Sequence, residues 1–267
     1  MERSDPAGRS RIRAAYVPPQ HGAWAFLGLP LALGATVTSV TPLLLVLAVA
    51  WVSAYPLSYA ALGLIRAKRP ERFRLPLVVW SLVCLPAVAV LLVTRPWLAW
   101  VGLAYLALFA INLRYARRND ERAIANDLVF IAECSAMVVV TWAVGAGAQS
   151  WGTPAVASVP RHAWILALVC ALVLAGSTLH VKSLIRERAD PRSARLSRTV
   201  AVGSVVVSAG LAAWWGLPSG LWLIAPFVLL LVRSVLVGAR RLKPGVIGMI
   251  ELACFAAVAI CSTLASL

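Results

Sequence analysis

Acidic residues are scarce in this 267-residue chain: ten Asp and Glu stand against twenty-five Lys and Arg, and charged residues of both signs make up only 13%. A soluble domain carries about a quarter of its residues as charges, so a water-soluble fold is excluded. The five cysteines, Cys84, Cys134, Cys170, Cys254 and Cys261, lie within apolar stretches, with no C-x-x-C pair and no His ligand beside them. They read as small buried hydrophobes, not as disulfide or metal positions. Also missing are the glycine-rich phosphate loop, the H-E-x-x-H zinc pair, the G-x-S-x-G nucleophile turn and the haem-attachment C-x-x-C-H. These absences argue against nucleotide hydrolysis within this chain.

What is present is apolar. Hydrophobic residues make up 61% of the chain and its mean hydropathy is +0.85. Of the 25 Lys and Arg, 22 fall in five clusters between long apolar runs: Arg3 to Arg13, Arg66 to Arg74, Arg114 to Arg122, Lys182 to Arg198 and Arg240 to Lys243. That distribution excludes a nucleic-acid-binding surface despite the net charge of +15, and it reads as the positive-inside signature of a multi-pass membrane protein.

Breaking the apolar runs at Pro, Gly and charge predicts nine helices. They run roughly over Ala23 to Val40, Pro42 to Ile65, Leu75 to Thr94, Pro96 to Leu113, Ile124 to Ala146, Ala163 to Val181, Thr199 to Leu217, Gly220 to Val237 and Val246 to Ser266. Each approaches the length that spans a hydrocarbon core of about 30 Å. Starting from inside, nine crossings bring every basic cluster to the cytoplasmic face, and Trp97, Trp151, Trp214 and Trp215 mark the outer interface. The expected fold is all-α, a polytopic membrane bundle of about nine transmembrane helices. Residues 1–22 form a basic cytoplasmic segment and 23–267 a single transmembrane domain. The expected location is the bacterial inner membrane, and the first apolar run is read as a retained helix, not a cleaved signal peptide.

Three constellations carry polar chemistry. Gln20 and His21, between Pro19 and Gly22, offer donors and acceptors at a helix start; the alternative is an interfacial cap anchored by Trp24. Arg118, Asn119 and Asp120 precede the fifth helix, and Asp127 and Glu133 fall inside it. Intramembrane carboxylates are expensive and are functional suspects, though an interior salt bridge serves equally. His180, Ser183 and Glu187 share one helical face by their spacing, with Lys182, Arg186 and Asp190 on the adjacent stripe and Arg188 beside them. Cations next to acceptors at a membrane mouth suit a phosphate or diphosphate headgroup, and equally suit plain orientation anchoring. Glu251, in the ninth run, and Arg233, in the eighth, could pair inside the bundle, but the depths assigned to them differ and they are not counted as a site.

The run Pro19-Gln20-His21-Gly22-Ala23-Trp24 resembles the opening of the YwiC-like family of bacterial membrane proteins, and the segments Arg117 to Asp127 and His180 to Arg188 extend the likeness. That family brings no activity with it. The helix number, with polar segments at the cytoplasmic ends of helices two, four and six, is also similar to the UbiA-type intramembrane prenyltransferases. This likeness implies a prenyl diphosphate held with Mg²⁺ by two aspartate-rich motifs. Here the second helix ends Tyr55, Pro56, Ser58, Tyr59, Arg66 without an aspartate, and the sixth offers only Glu187 and Asp190.

Three functions are therefore open. The first is a divergent UbiA-like protein that binds or transfers a lipid diphosphate at the cytoplasmic membrane face. Its chemistry would rest on Asp127, Glu187 and His180, and its capture of substrate on Gln20, His21, Arg118, Asn119, Asp120, Arg186 and Arg188. The second is a proton-coupled small-solute transporter in which Asp127 and Glu133 are protonated in turn. The third is a non-catalytic assembly subunit whose polar residues only join helices. The expected partners are the lipid bilayer and an anionic lipid or isoprenoid diphosphate, with Mg²⁺ only in the UbiA-like case and no nucleic acid.

Overall fold

A computed structural model describes residues 15–18, 21–118, 123–147, 158–238 and 242–267. Among them there are only helices and turns. In chain order these are α1 (His21–Ala35), α2 (Pro42–Arg66), α3 (Arg74–Thr94), α4 (Leu98–Arg117), α5 (Ile124–Gly145), α6 (Arg161–Ile185), α7 (Pro191–Trp215), α8 (Ile224–Gly238) and α9 (Pro244–Ser266). A 3₁₀ turn extends α3 and α8 at their N-terminal ends, at Pro70–Phe73 and Ser219–Leu223. With those turns included, the eight helices after α1 are long and apolar enough to cross a membrane. In lipid the backbone must satisfy its own hydrogen bonds, and only a helix does so segment by segment.

The first helix is shorter than its apolar run predicts. It has 15 residues, about 22 Å at 1.5 Å per residue. It closes at Ala35 because the β-branched stretch Thr36–Val37–Thr38 turns back on the last carbonyls: Thr36 Oγ1 donates to Leu33 O at 2.8 Å, and Val37 N–H to Gly34 O at 3.4 Å. Proline opens α2, α7 and α9, where its missing N–H would have had no intrahelical partner. At α7 Asp190 adds a side-chain cap, Oδ1 accepting from Arg192 N at 2.9 Å.

The chain divides into two compact units. Described residues of the first lie within Met1–Trp24, Val40–Val129 and Gly147–Thr153, and those of the second within Ala25–Ser39, Phe130–Ala146 and Pro154–Leu267. In the first unit α2 and α3 form a close hairpin. Gly63 has no Cβ, and the Phe73 ring occupies the space one would fill. Phe73 also packs edge-on to Tyr59 at 5.8 Å and closes over Ala15 and Ala60. Trp51 meets Tyr105 of α4 edge-on at 5.6 Å, yet α4 turns Trp100, Leu103 and Leu106 outward, as a lipid-facing helix does.

In the second unit α6 is the core helix, with Ile165, Leu166, Val169, Cys170, Val173 and Leu174 essentially inaccessible. Trp215 at the end of α7 donates from its indole N–H to Ala265 O of α9 at 3.0 Å. Gly220 lies against the Ala212 backbone so closely that no larger residue fits there. Phe26 of α1 stacks on Phe130 at 6.0 Å and tilts against Phe255 at 5.5 Å.

Candidate functional site

The second unit holds the polar centre of the molecule. Four consecutive spanning helices place polar side chains at one depth. His180 lies five residues before the end of α6 and Arg233 five before the end of α8. Ser197 is six residues into α7 and Glu251 seven into α9. At 1.5 Å per residue all four Cα atoms are about 7–11 Å from the helix ends. Successive crossings alternate in direction, so these ends share one side of the membrane, the side of the α6–α7 and α8–α9 connections.

Arg233 and Glu251 form an ion pair between Nη1 and Oε2, and both side chains are buried. The same carboxylate oxygen accepts from Ser177 Oγ at 2.5 Å. His180, only 2% exposed, places Nδ1 3.4 Å from Ser197 Oγ. It lies within electrostatic reach of Arg233, which also reaches the Cys254 sulfur. Glu251 Oε1, Arg233 Nε and His180 Nε2 are buried without hydrogen-bond partners. A planar guanidinium suits a carboxylate, which is why arginine and not lysine fills a buried pairing of this kind.

Above this centre, on the connection side, the picture changes from buried to exposed. Helix α6 ends at Ile185, so Glu187 does not continue the His180 face; it lies exposed and accepts from Ser193 Oγ at 2.5 Å. Arg188 Nε donates to Leu184 O at 2.8 Å. Arg186, Arg188, Arg192, Arg195 and Arg198 are all exposed, whereas Lys182 is buried. In the first unit Arg118 is exposed at the end of α4, and Asp127 is half-buried in the first turn of α5, where a helix N-terminus favours a carboxylate. Glu133, further along α5, is buried in the second unit. Gln20, Asn119 and Asp120 lie outside the described residues, as does the side chain of His21.

At the other end of the second unit an open cleft of about 490 Å³ is lined by Thr36, Pro160, His162, Trp215, Leu217 and Ser266, among others. Its histidine is committed: the ring lies 4.2 Å from that of Trp215, and Nε2 is 3.2 Å from Trp215 O.

The pairing of Arg233 with Glu251, conceivable from the sequence but set aside as a site because the assigned depths differ, is formed in the structure. A signal existed, since Arg233 is one of three basic residues outside the clusters. Helix rotation, which decides whether two such charges meet, leaves no trace in a helix that is apolar on every side.

Fold and interior together define a multi-pass α-helical membrane protein with an ion pair buried in its bundle. The sequence model of the family described as YwiC-like protein matches residues 17–142. The uncharacterized protein YwiC of Bacillus subtilis is 30% identical over 175 residues, covering 65% of this chain and 69% of that protein. An uncharacterized protein of Haemophilus influenzae is 27% identical over 207 residues, covering 76% and 78%. The chain belongs to the YwiC-like family. No solved structure matches it.

Proposed function

We propose that the chain binds the phosphate-bearing headgroup of an anionic lipid at the end of the bundle carrying the α6–α7 connection. This end lies in the cytoplasm of the inner membrane, as the positive-inside rule directs, with the N-terminus on the same side. The observation that supports the reading is the engagement of the local carboxylates by the chain itself. Glu187 accepts from Ser193 and Asp190 caps α7. Arg186, Arg188, Arg192, Arg195 and Arg198 are thereby left exposed, with no ion pair among the described residues. Unpaired arginines at headgroup depth attract anionic lipid and make charge-assisted, bidentate bonds to phosphate.

Prenyl transfer in the UbiA manner is the finer reading, and it would call on Asp127, Glu187 and His180. The described residues do not fit its metal. Mg²⁺ needs converging oxygen ligands, and no three or more His, Cys, Asp or Glu side chains gather among the described residues. Capture of the headgroup, which needs only cations, is the part that the geometry favours.

Native mass spectrometry in mild detergent tests it, with phosphatidylglycerol and phosphatidylcholine offered in equal amounts. Selective retention of phosphatidylglycerol, largely lost in Arg186→Ala/Arg188→Ala and kept in Asp127→Asn, is the expected result. Equal retention of both lipids, or selectivity that survives the double arginine variant, overturns headgroup binding. Loss in Asp127→Asn as well would show that the selectivity is not particular to the arginines and would overturn their assignment.

A further inference from the structure

We infer that the buried Arg233–Glu251 pair is a site at which a proton and a small planar monovalent oxyanion, carboxylate-like in shape, are taken up together. The inference does not rest on the headgroup reading, because it concerns the interior of the second unit and not its exposed arginines.

Among the described residues, the charged and titratable groups facing the pair come from the four helices packed there. These groups are His180 of α6, Arg233 of α8, and Glu251 and Cys254 of α9, with the hydroxyls of Ser177 and Ser197 beside them. Lys182, two residues beyond His180, points to another face of α6 by its spacing. A pair that served only to join helices would use its hydrogen-bonding capacity, because an unpartnered buried polar atom is destabilising. Three atoms here are unpartnered, on residues each more than nine-tenths buried: Glu251 Oε1, Arg233 Nε and His180 Nε2.

Their chemistry defines the guest. Arg233 Nε can only donate. In the tautomer in which Ser197 donates to Nδ1, His180 Nε2 carries the ring proton and donates. Glu251 Oε1 can only accept while ionised, and it is where a proton would be added. Two donors and one proton acceptor match an oxyanion arriving with a proton. Once Oε1 is protonated, Glu251 no longer balances Arg233, and an uncompensated guanidinium is strongly disfavoured in the membrane interior. An anion on the free edge of the guanidinium restores the balance. The net charge of the centre is then the same loaded and unloaded. The planar guanidinium that already donates from Nη1 to the Glu251 carboxylate sets the shape of the guest. Exposed arginines one to two turns away would draw an anion toward this end of the bundle.

The test uses the full chain in lipid nanodiscs, with sodium formate as probe and sodium gluconate as an oversized control. Difference infrared spectroscopy should show the carbonyl stretch of a protonated carboxylic acid appearing with formate and not with gluconate. Formate half-saturation should fall about tenfold per unit drop in pH, the reciprocal linkage of one proton to one anion. Glu251→Gln should lose the band and make formate binding independent of pH. Arg233→Gln/Glu251→Gln leaves no lone buried charge, and it should keep a cooperative thermal transition and bind no formate. A wild-type protein without the band, a band that survives Glu251→Gln, or formate binding by the double variant overturns the inference and leaves the pair as a helix contact.

Discussion

The two units solve the same problem, holding helices together in lipid, by different means. Among the described residues the first unit buries a single polar side chain, Ser53, whereas the second buries thirteen, including Arg233, Glu251, Glu133, Lys182 and His180. The first unit relies on close approach. Gly63 lies under Phe73, Cys84 Sγ reaches Ala50 O at 3.6 Å, and Trp24 meets Tyr55 edge-on at 5.5 Å. Without a hydrophobic force between helices in lipid, shape and dispersion suffice there. The second unit could have used the same solution and does so around Gly220. Its buried charge is therefore more than packing requires, and intramembrane charge that packing does not require marks function.

The comparison breaks most readily at the ion pair. Replacing Glu251 by Leu leaves Arg233 buried and unpaired, which should cost about 3–5 kcal/mol, while Arg233→Met/Glu251→Leu should recover most of that loss. Thermal unfolding in detergent, arranged as a double-mutant cycle, reads the coupling. A single variant as stable as the wild type would place the pair in water, and the contrast between the units would disappear. In the first unit the corresponding break is steric. A Cβ on Gly63 would sit 2.5 Å from the Phe73 ring, and Gly63→Ala should cost about 1–3 kcal/mol through overpacking. The same assay reports it, and a neutral result would mean that the hairpin is looser than the ring contact implies.

How these two features stood in the sequence differs for a physical reason. Proline and charge end apolar runs wherever the chain meets water, so helices such as Pro42–Arg66 and Ile124–Gly145 were legible to within a residue or so. Helix α7 begins at Pro191 and not at Thr199, where the charge of Arg192, Arg195 and Arg198 predicts a loop. Arginines in the first turns of a spanning helix reach the interface through their long stems and need no loop. The candidate site was legible only in part. His180 was singled out, and it does lie in the polar centre. Glu187, placed on the same face by spacing, is separated from it by the end of α6 at Ile185. Arg233 and Glu251 are conceivable partners from the sequence, but the helix ends that put them at one depth, and the rotation that brings the two helices face to face, are not reported by an apolar sequence.

Smaller effects sharpen the comparison. Ser177 donates across helices to Glu251 at 2.5 Å, and Ser177→Ala removes a hydrogen bond to a charged acceptor. A loss of about 1 kcal/mol is expected, toward the upper end of interhelical hydrogen bonds measured in membranes. Thermal unfolding detects it, and the loss should vanish when Ser177→Ala is made in the Arg233→Met/Glu251→Leu background.

Ser53 is the matched control, and its expected effect is the smallest. Its hydroxyl donates to Val49 O at 2.6 Å and approaches Ala50 O at 3.3 Å, so it closes on its own helix and joins nothing to anything else. Removal of a hydroxyl with such a local bond frees a carbonyl that keeps its backbone partner. Ser53→Ala should therefore change stability by less than about 0.5 kcal/mol, the range of substitutions away from networks and cavities. A midpoint shift as large as that of Ser177→Ala would show that buried hydroxyls count by burial alone. In that case the excess of polar residues in the second unit would no longer distinguish it, and only the Arg233–Glu251 pair would remain as evidence of a working centre.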